Sequence, residues 1–462
     1  MALALAAAVA AGVFYDGGFS PASRTVFGCL ALAALASTAV AMPADVRAFA
    51  REPVVLVLWG LGLLGALSAA WAVGFAADSL RWGLVCAGYG ALVIVAATLG
   101  RRPRGAQEIA VGIAALAAVA GLIGLAAAAL FAEPLADRIG GSWRPGGPLE
   151  YSSALALLEV SALPVLLRAM CTPRRSIASL GALAAAVAAA VLALAASREE
   201  IAFAALLGAL ALALPRACAR ADRRSVLAAL LLLVAAGAAA QLVAGGYVAP
   251  RHHGSGAGRL LGLALVLAAA PAVWLGLRAV AGAGRRLPIA LGLLAVVSLV
   301  AALPLAFGPP AEGAGQTDAQ RRHGIEASAG LLHGRPATWG AALETFADRP
   351  LYGAGADSFL AASARHQDHG PVRFAHNLPF ELAAELGLAG AALALALYAG
   401  AARLLWRARG TPAAWLLGPA VVGFLAANLV DWPWHLAGSG AVWAIALGGL
   451  LGCSRATGPA SG

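Results

Sequence analysis

Long apolar runs separated by short polar punctuation dominate the chain. They fall at about 1–15, 25–43, 53–74, 81–99, 107–131, 151–170, 178–197, 200–215, 225–248, 258–277, 287–308, 379–402, 412–430 and 435–452. A helix crosses a bilayer with roughly 17–25 residues, so each run is a candidate span, with the first and eighth the shortest. The pattern predicts an all-α, polytopic integral membrane protein of about 12–14 transmembrane helices. The lower figures apply if a run is re-entrant or lies in the interface. No charged residue is read deep in a span before the external boundary region, and no internal repeat is found.

Arginine placement gives the expected sidedness. With the N-terminus inside and the spans alternating, 19 of the 32 basic residues fall in short cytoplasmic loops and the tail, from Arg47 and Arg51 to Arg403, Arg407, Arg409 and Arg455. Only Asp45, Glu52, Glu108 and Asp222 accompany them. The division expected is N-terminal membrane helices (1–131), central membrane helices (132–308), a large external loop (309–378), and C-terminal membrane helices with a short cytoplasmic tail (379–462). The opening MALALAAAVAAGVF has no basic n-region and reads as a first span rather than a cleaved signal peptide.

Composition agrees. Apolar residues make up 61% and charged residues 12% of the chain, against about 45–50% and about 25% in soluble proteins. The net charge of +10 is spread in small arginine groups between apolar runs. A nucleic-acid surface needs a basic patch on one exposed face, so no nucleic-acid partner is expected. The five cysteines show neither a metal-binding spacing nor an external pair.

The external loop is long enough to carry function. PATWGAALETFAD predicts a helix with Pro336 in its first turn, an apolar face of Trp339, Leu343 and Phe346, and an end at Pro350. A turn follows at 351–355, then a short helix through Ser358, Phe359 and Leu360. The next membrane helix starts with Asn377 as cap and Pro379 in its first turn. All eight histidines lie outside or at the outer boundary. A working external face explains this, as does the lack of room in small, arginine-filled cytoplasmic loops.

Together, GRPATWGAALETFADRPLYGAGADSF and AHNLPFELAAELGLAG resemble the signature region of the O-antigen ligase and polymerase family. The elements are Arg335, Trp339, Pro350, Gly353, Gly355, His376, Asn377, Glu385 and Gly387. Upstream, Arg138–Gly140 before the 151–170 span and Ala196–Ser197–Arg198 are similar to further family elements, so the resemblance runs from about 130 to 450. It implies a membrane enzyme that moves a glycan from undecaprenyl pyrophosphate to an acceptor hydroxyl on the outer leaflet. The anomeric carbon inverts, and no metal, nucleotide sugar or other cofactor is needed. The implied partners are the lipid-linked donor, a glycan or lipid-glycan acceptor, and membrane lipids. A ligase and a polymerase differ only in that acceptor.

The residue types suit this chemistry. Arg198 and Arg335 are candidates to bind the leaving pyrophosphate with fixed guanidinium forks. His376 is the candidate to take the proton of the attacking hydroxyl. Asn377 either holds the imidazole or caps the helix. Glu381 and Glu385, four apart, either orient an acceptor sugar, pair with an arginine, or stay in a water-filled mouth. Asp431 either lines the site or marks the interface, with Trp432 and Trp434 as anchors. Trp339 is grouped with the substrate-binding residues. Arg138, with Trp143 and Arg144, either meets sugar or belongs to a solvated loop. The competing reading is a multi-span transporter or flippase of a lipid-linked glycan or small solute, which would require a mid-membrane site.

Overall fold

The computed structural model describes residues 2–139, 142–171, 186, 190, 335–367 and 372–456. Apart from residues 186 and 190, the runs predicted between 178 and 308 lie outside them. Each remaining run is helical: α1 (Ala2–Phe14), α2 (Pro21–Ala41), α4 (Pro53–Ser68), α5 (Ala76–Gly100), α6 (Gly105–Leu130), α7 (Ser152–Cys171), α10 (Leu378–Ala408), α11 (Pro412–Ala427) and α12 (Ala437–Ala456). A short α3 (Pro43–Ala50), not foreseen, is bent 77° from α4. Among the described residues, five helices are long and apolar enough to cross a membrane: α2, α5, α6, α10 and α12. The bent α3–α4 pair raises the number to six. The chain is an all-α polytopic membrane protein, with shorter helices outside the membrane.

Two compact units divide the chain, Met1–Ile109 with Gly315–Gly462, and Ala110–Ala314. In the first, α5 packs against α2, α4 and α12. Small residues make these contacts close, as expected where lipid supplies no hydrophobic drive between helices. A Cβ on Gly83 of α5 would stand 2.6 Å from the Gly62 carbonyl of α4, and one on Gly452 of α12 would stand 2.2 Å from the Ala97 carbonyl of α5. Trp434, an interfacial anchor in one of the two readings of its turn, is 1% exposed. It packs against Tyr89 at 5.3 Å and Trp443 at 6.0 Å, because the turn holding it folds back over α5 and α12.

Loops expected on one side of the membrane meet one another. Arg101 pairs with Asp45, and Arg455 with Glu52, all on the predicted cytoplasmic side. At the other end, Phe19 after α1 meets Phe374 and Trp432, and the 69–75 segment meets 350–359.

The loop helix α8 (Arg335–Asp348) and the short α9 (Phe359–Ser363) form where expected. Their packing differs in one respect. Leu343 is 48% exposed, and Ala341, Ala342 and Thr345 form the buried face of α8. Small side chains allow α8 to approach α10, and Ala342, Phe359, Ala375 and Ala384 make the contact with Phe380 beside them.

In the second unit, the segment 132–150 contains an antiparallel hairpin of β1 (Ala136–Ile139) and β2 (Ser142–Pro145), with Arg138 opposite Trp143 in register. In α7, Glu159 is fully buried, and its carboxylate oxygens have no hydrogen-bond partner among the described residues. This corrects the expectation that no charged residue lies deep in a span. One carboxylate in a Leu- and Ala-rich run barely changes its averaged hydropathy.

Candidate functional site

Pro350–Gly355 is a backbone plug. α10 breaks at Gly387, where φ is 64° and ψ is −153°. The exposed main chain there receives the turn: the Leu388 amide donates to the Pro350 carbonyl at 2.8 Å, the Ala354 amide to Ala384 at 3.0 Å, and the Gly355 amide to Glu385 at 2.8 Å. The opposite edge docks on the α4–α5 connection, where the Val73 amide donates to the Ala354 carbonyl at 2.8 Å. Gly353 (φ +69°) leaves no room for a side chain, since its Cβ would lie 2.3 Å from the Glu385 carbonyl. Gly353→Ala therefore combines a left-handed conformation with a main-chain clash and is expected to lower stability by about 1–3 kcal/mol. Faster proteolysis within 350–367 is the check.

Glu385, 1% exposed, fastens the next residues. Its Oε1 accepts from the Ser358 and Phe359 amides at 2.8 and 2.9 Å, and its Oε2 from the Asp357 amide at 3.0 Å. Asp357 itself sits at φ 54° and makes a buried ion pair with Arg24 of α2. Burial pushes the Asp357 carboxyl up, but the Arg24 charge, with smaller contributions from His435 and Arg373, outweighs it, and the net shift is below the ordinary carboxylate value.

His376 follows from the same end of α10. Asn377 caps the helix, its Oδ1 accepting from the Phe380 amide at 3.0 Å and its Nδ2 donating to the Leu429 carbonyl at 2.9 Å. His376 stands just before this cap at φ 54°. Its Nδ1 lies 3.0 Å from the Phe374 carbonyl. A carbonyl only accepts, so Nδ1 carries the proton and Nε2 keeps its lone pair in the neutral ring. The Trp339 indole donates to the His376 carbonyl at 3.4 Å. Burial lowers the imidazole pKa below its ordinary value; the Asp431 carboxylate and the Phe374 carbonyl oppose the shift, Arg335 adds to it, and Glu381 opposes it weakly.

Glu381, 3% exposed, is held as firmly as Glu385. Its Oε2 accepts from the Ala375 amide at 2.7 Å, and its Oε1 meets His435 Nε2. The His435 ring stacks on Phe374 with centroids 4.0 Å apart. Phe374 also stacks on Trp432 at 5.0 Å, and the Arg373 guanidinium lies 4.9 Å from the Phe19 ring.

Of the residues singled out from sequence, His376, Asn377, Glu381, Glu385, Trp339 and Asp431 gather here, and Arg335 is near enough to act on His376 electrostatically. Asp431 is 5% exposed. Both glutamates spend their carboxylates on protein groups. Arg198 lies outside the described residues. Arg138 lies in the β-hairpin of the second unit. Arg24, Asp357 and His435 were missed as members of this cluster. An arginine at the mouth of an otherwise apolar span is the signal that points to Arg24. His435 carries no local signal, because its partner Glu381 is 54 residues away.

No curated protein matches the sequence. The match to a known family does not reach Arg138, Arg198 or Asp431, so it covers only part of the resemblance read along the chain. Residues 256–395, which hold Arg335, Trp339, the glycine turn, His376 and both glutamates, match the O-antigen ligase family model, and this links the protein to membrane glycan-handling proteins of the O-antigen ligase type.

Proposed function

We propose that this protein is a glycan transferase of the cytoplasmic membrane, working on its outer face. The donor is a glycan on undecaprenyl pyrophosphate, and the acceptor is a hydroxyl of another glycan or lipid-glycan. Both termini are cytoplasmic and the 309–378 loop is external, in keeping with the arginine bias of the opposite loops. The observation that carries the reading is the family match over the segment that holds both His376 and Arg335.

The acceptor oxygen attacks the anomeric carbon from the side opposite the pyrophosphate. The glycosidic C–O bond breaks, its electron pair leaves with the undecaprenyl pyrophosphate, and the configuration inverts. His376 Nε2 takes the hydroxyl proton as the new bond forms. Arg335 binds the pyrophosphate and stabilises the charge that develops on it. The negative charge of Asp431 favours the protonated form of the imidazole after transfer. Trp339 offers an indole beside the acceptor path. If the acceptor is a lipid-anchored core oligosaccharide, the protein is a ligase; if it is a second lipid-linked repeat, a polymerase.

The test is transfer from a purified undecaprenyl pyrophosphate-linked glycan in liposomes. Arg335→Ala should cut transfer by roughly 10²–10³-fold, with wild-type activity surviving EDTA. Transfer that requires an added divalent metal, or that is indifferent to loss of the Arg335 guanidinium, would sink the proposal.

A further inference from the structure

We infer that Glu381 and His435 are a positioning pair that holds His376 in the tautomer with Nδ1 protonated and Nε2 free. The inference rests on the reading of His376 as the proton acceptor, and it adds two residues that act through His376. The path is short. His435 Nε2 donates to Glu381 Oε1. The other oxygen of the same carboxylate accepts from the Ala375 amide at 2.7 Å. Ala375 is bonded on one side to Phe374, whose carbonyl receives His376 Nδ1–H, and on the other to His376 itself. The His435 ring meanwhile lies flat on the Phe374 ring, 4.0 Å away and 23° from parallel. The pair therefore grips the 374–376 segment from its main chain and from its side chain.

That grip is needed because the segment is intrinsically unfavourable. His376 has a φ of 54°, a left-handed conformation that costs a non-glycine residue energy and needs support from its surroundings. A hydrogen bond from a ring nitrogen to a carbonyl two residues back survives only if the intervening peptide cannot rotate. The geometry also explains why a buried carboxylate is retained: Glu381 and His435 are 3% and 5% exposed, and each serves the other. Asp431, Arg335 and Glu381 act on the His376 ring, and Asp357 senses His435 along with Arg24 and Arg373. Among the described residues, Glu381 Oε1 alone meets the His435 ring by hydrogen bond, and His435 Nδ1 is buried without a partner. With that nitrogen idle, the ring works through one edge and one face.

The experiment is solid-state ¹⁵N NMR of histidine-labelled full-length protein in liposomes, with the His376 signals identified by their loss in His376→Gln. Wild type should give one protonated Nδ1 and one bare Nε2. Glu381→Ala should give a mixture of tautomers. Glu381→Gln should restore the wild-type pattern, because an amide oxygen still accepts from Ala375 and the amide nitrogen donates to His435. His435→Phe, which keeps a ring on Phe374 but removes the donor to Glu381, should also mix the tautomers and serves if Glu381→Ala does not fold. In the transfer assay, Glu381→Ala should lose about 10²-fold in kcat with KM little changed, as for a misplaced base. A single unchanged tautomer in Glu381→Ala, or in His435→Phe where that is the variant that folds, overturns the positioning role. Full transfer by His376→Ala overturns the reading of His376 as proton acceptor instead, and leaves the tautomer result standing.

Discussion

Replacing His376 with alanine should reduce glycan transfer by roughly 10²–10⁴-fold, the usual contribution of a positioned general base. The protein should still insert and fold. The side chain makes one local hydrogen bond, to the Phe374 carbonyl, and such a bond contributes about 1 kcal/mol. His376→Asn separates chemistry from backbone strain, because asparagine tolerates the left-handed conformation better than alanine does. Both variants should lose transfer alike. The pH profile gives an independent reading. A base works only when neutral, and burial moves this imidazole below its ordinary value of about 6.5. Activity should therefore stay level through neutral pH and fall only on acidification below that value. An acid limb centred above 7, or transfer unaffected in both variants, would remove His376 from the reaction.

The second large effect belongs to Glu385. Its carboxylate accepts three main-chain amides, from Asp357, Ser358 and Phe359, in a buried site. Glu385→Ala strands all three, and an unsatisfied buried donor costs about 1–3 kcal/mol. The total loss should be about 3 kcal/mol or more. The damage should be local, because the same loop is tied to α2 through Arg24 and Asp357. Limited proteolysis of detergent-solubilised protein should cut 350–367 sooner, and the unfolding midpoint should fall. Glu385→Gln should be milder, because one amide oxygen still accepts. A Glu385→Ala protein with wild-type protease resistance would show that the carboxylate is dispensable.

His376 and Glu385 are nine residues apart at the start of α10 with Glu381 between them, and from sequence all three are polar groups at a helix mouth. Their separate jobs come from what faces them. Glu385 meets a loop whose glycines permit it to touch the break in α10, whereas Glu381 meets a histidine from the turn before α12. The glycine turn and Glu385–Gly387 share one function, because the turn fills the gap that Gly387 opens. Leu343 shows the opposite failure: its spacing suited an apolar face, yet the smaller Ala342 is what allows α8 to lie against α10. Glu159 was hidden by averaging, since one carboxylate does not alter the hydropathy of its run.

Hydrophobic length alone determined that this is a many-helix membrane protein and that the described apolar runs are helical, and arginine placement put on one side the residues that pair as Arg101–Asp45 and Arg455–Glu52. Those properties follow from local physics: an apolar stretch has only one way to satisfy its backbone in lipid, and charge bias accumulates residue by residue. Helix starts such as Asn377 with Pro379 were legible for the same reason. Tertiary structure decided which polar groups pair. Arg24 with Asp357 and Glu381 with His435 join residues 333 and 54 positions apart, and no local pattern encodes a contact whose energy depends on two distant segments being buried together.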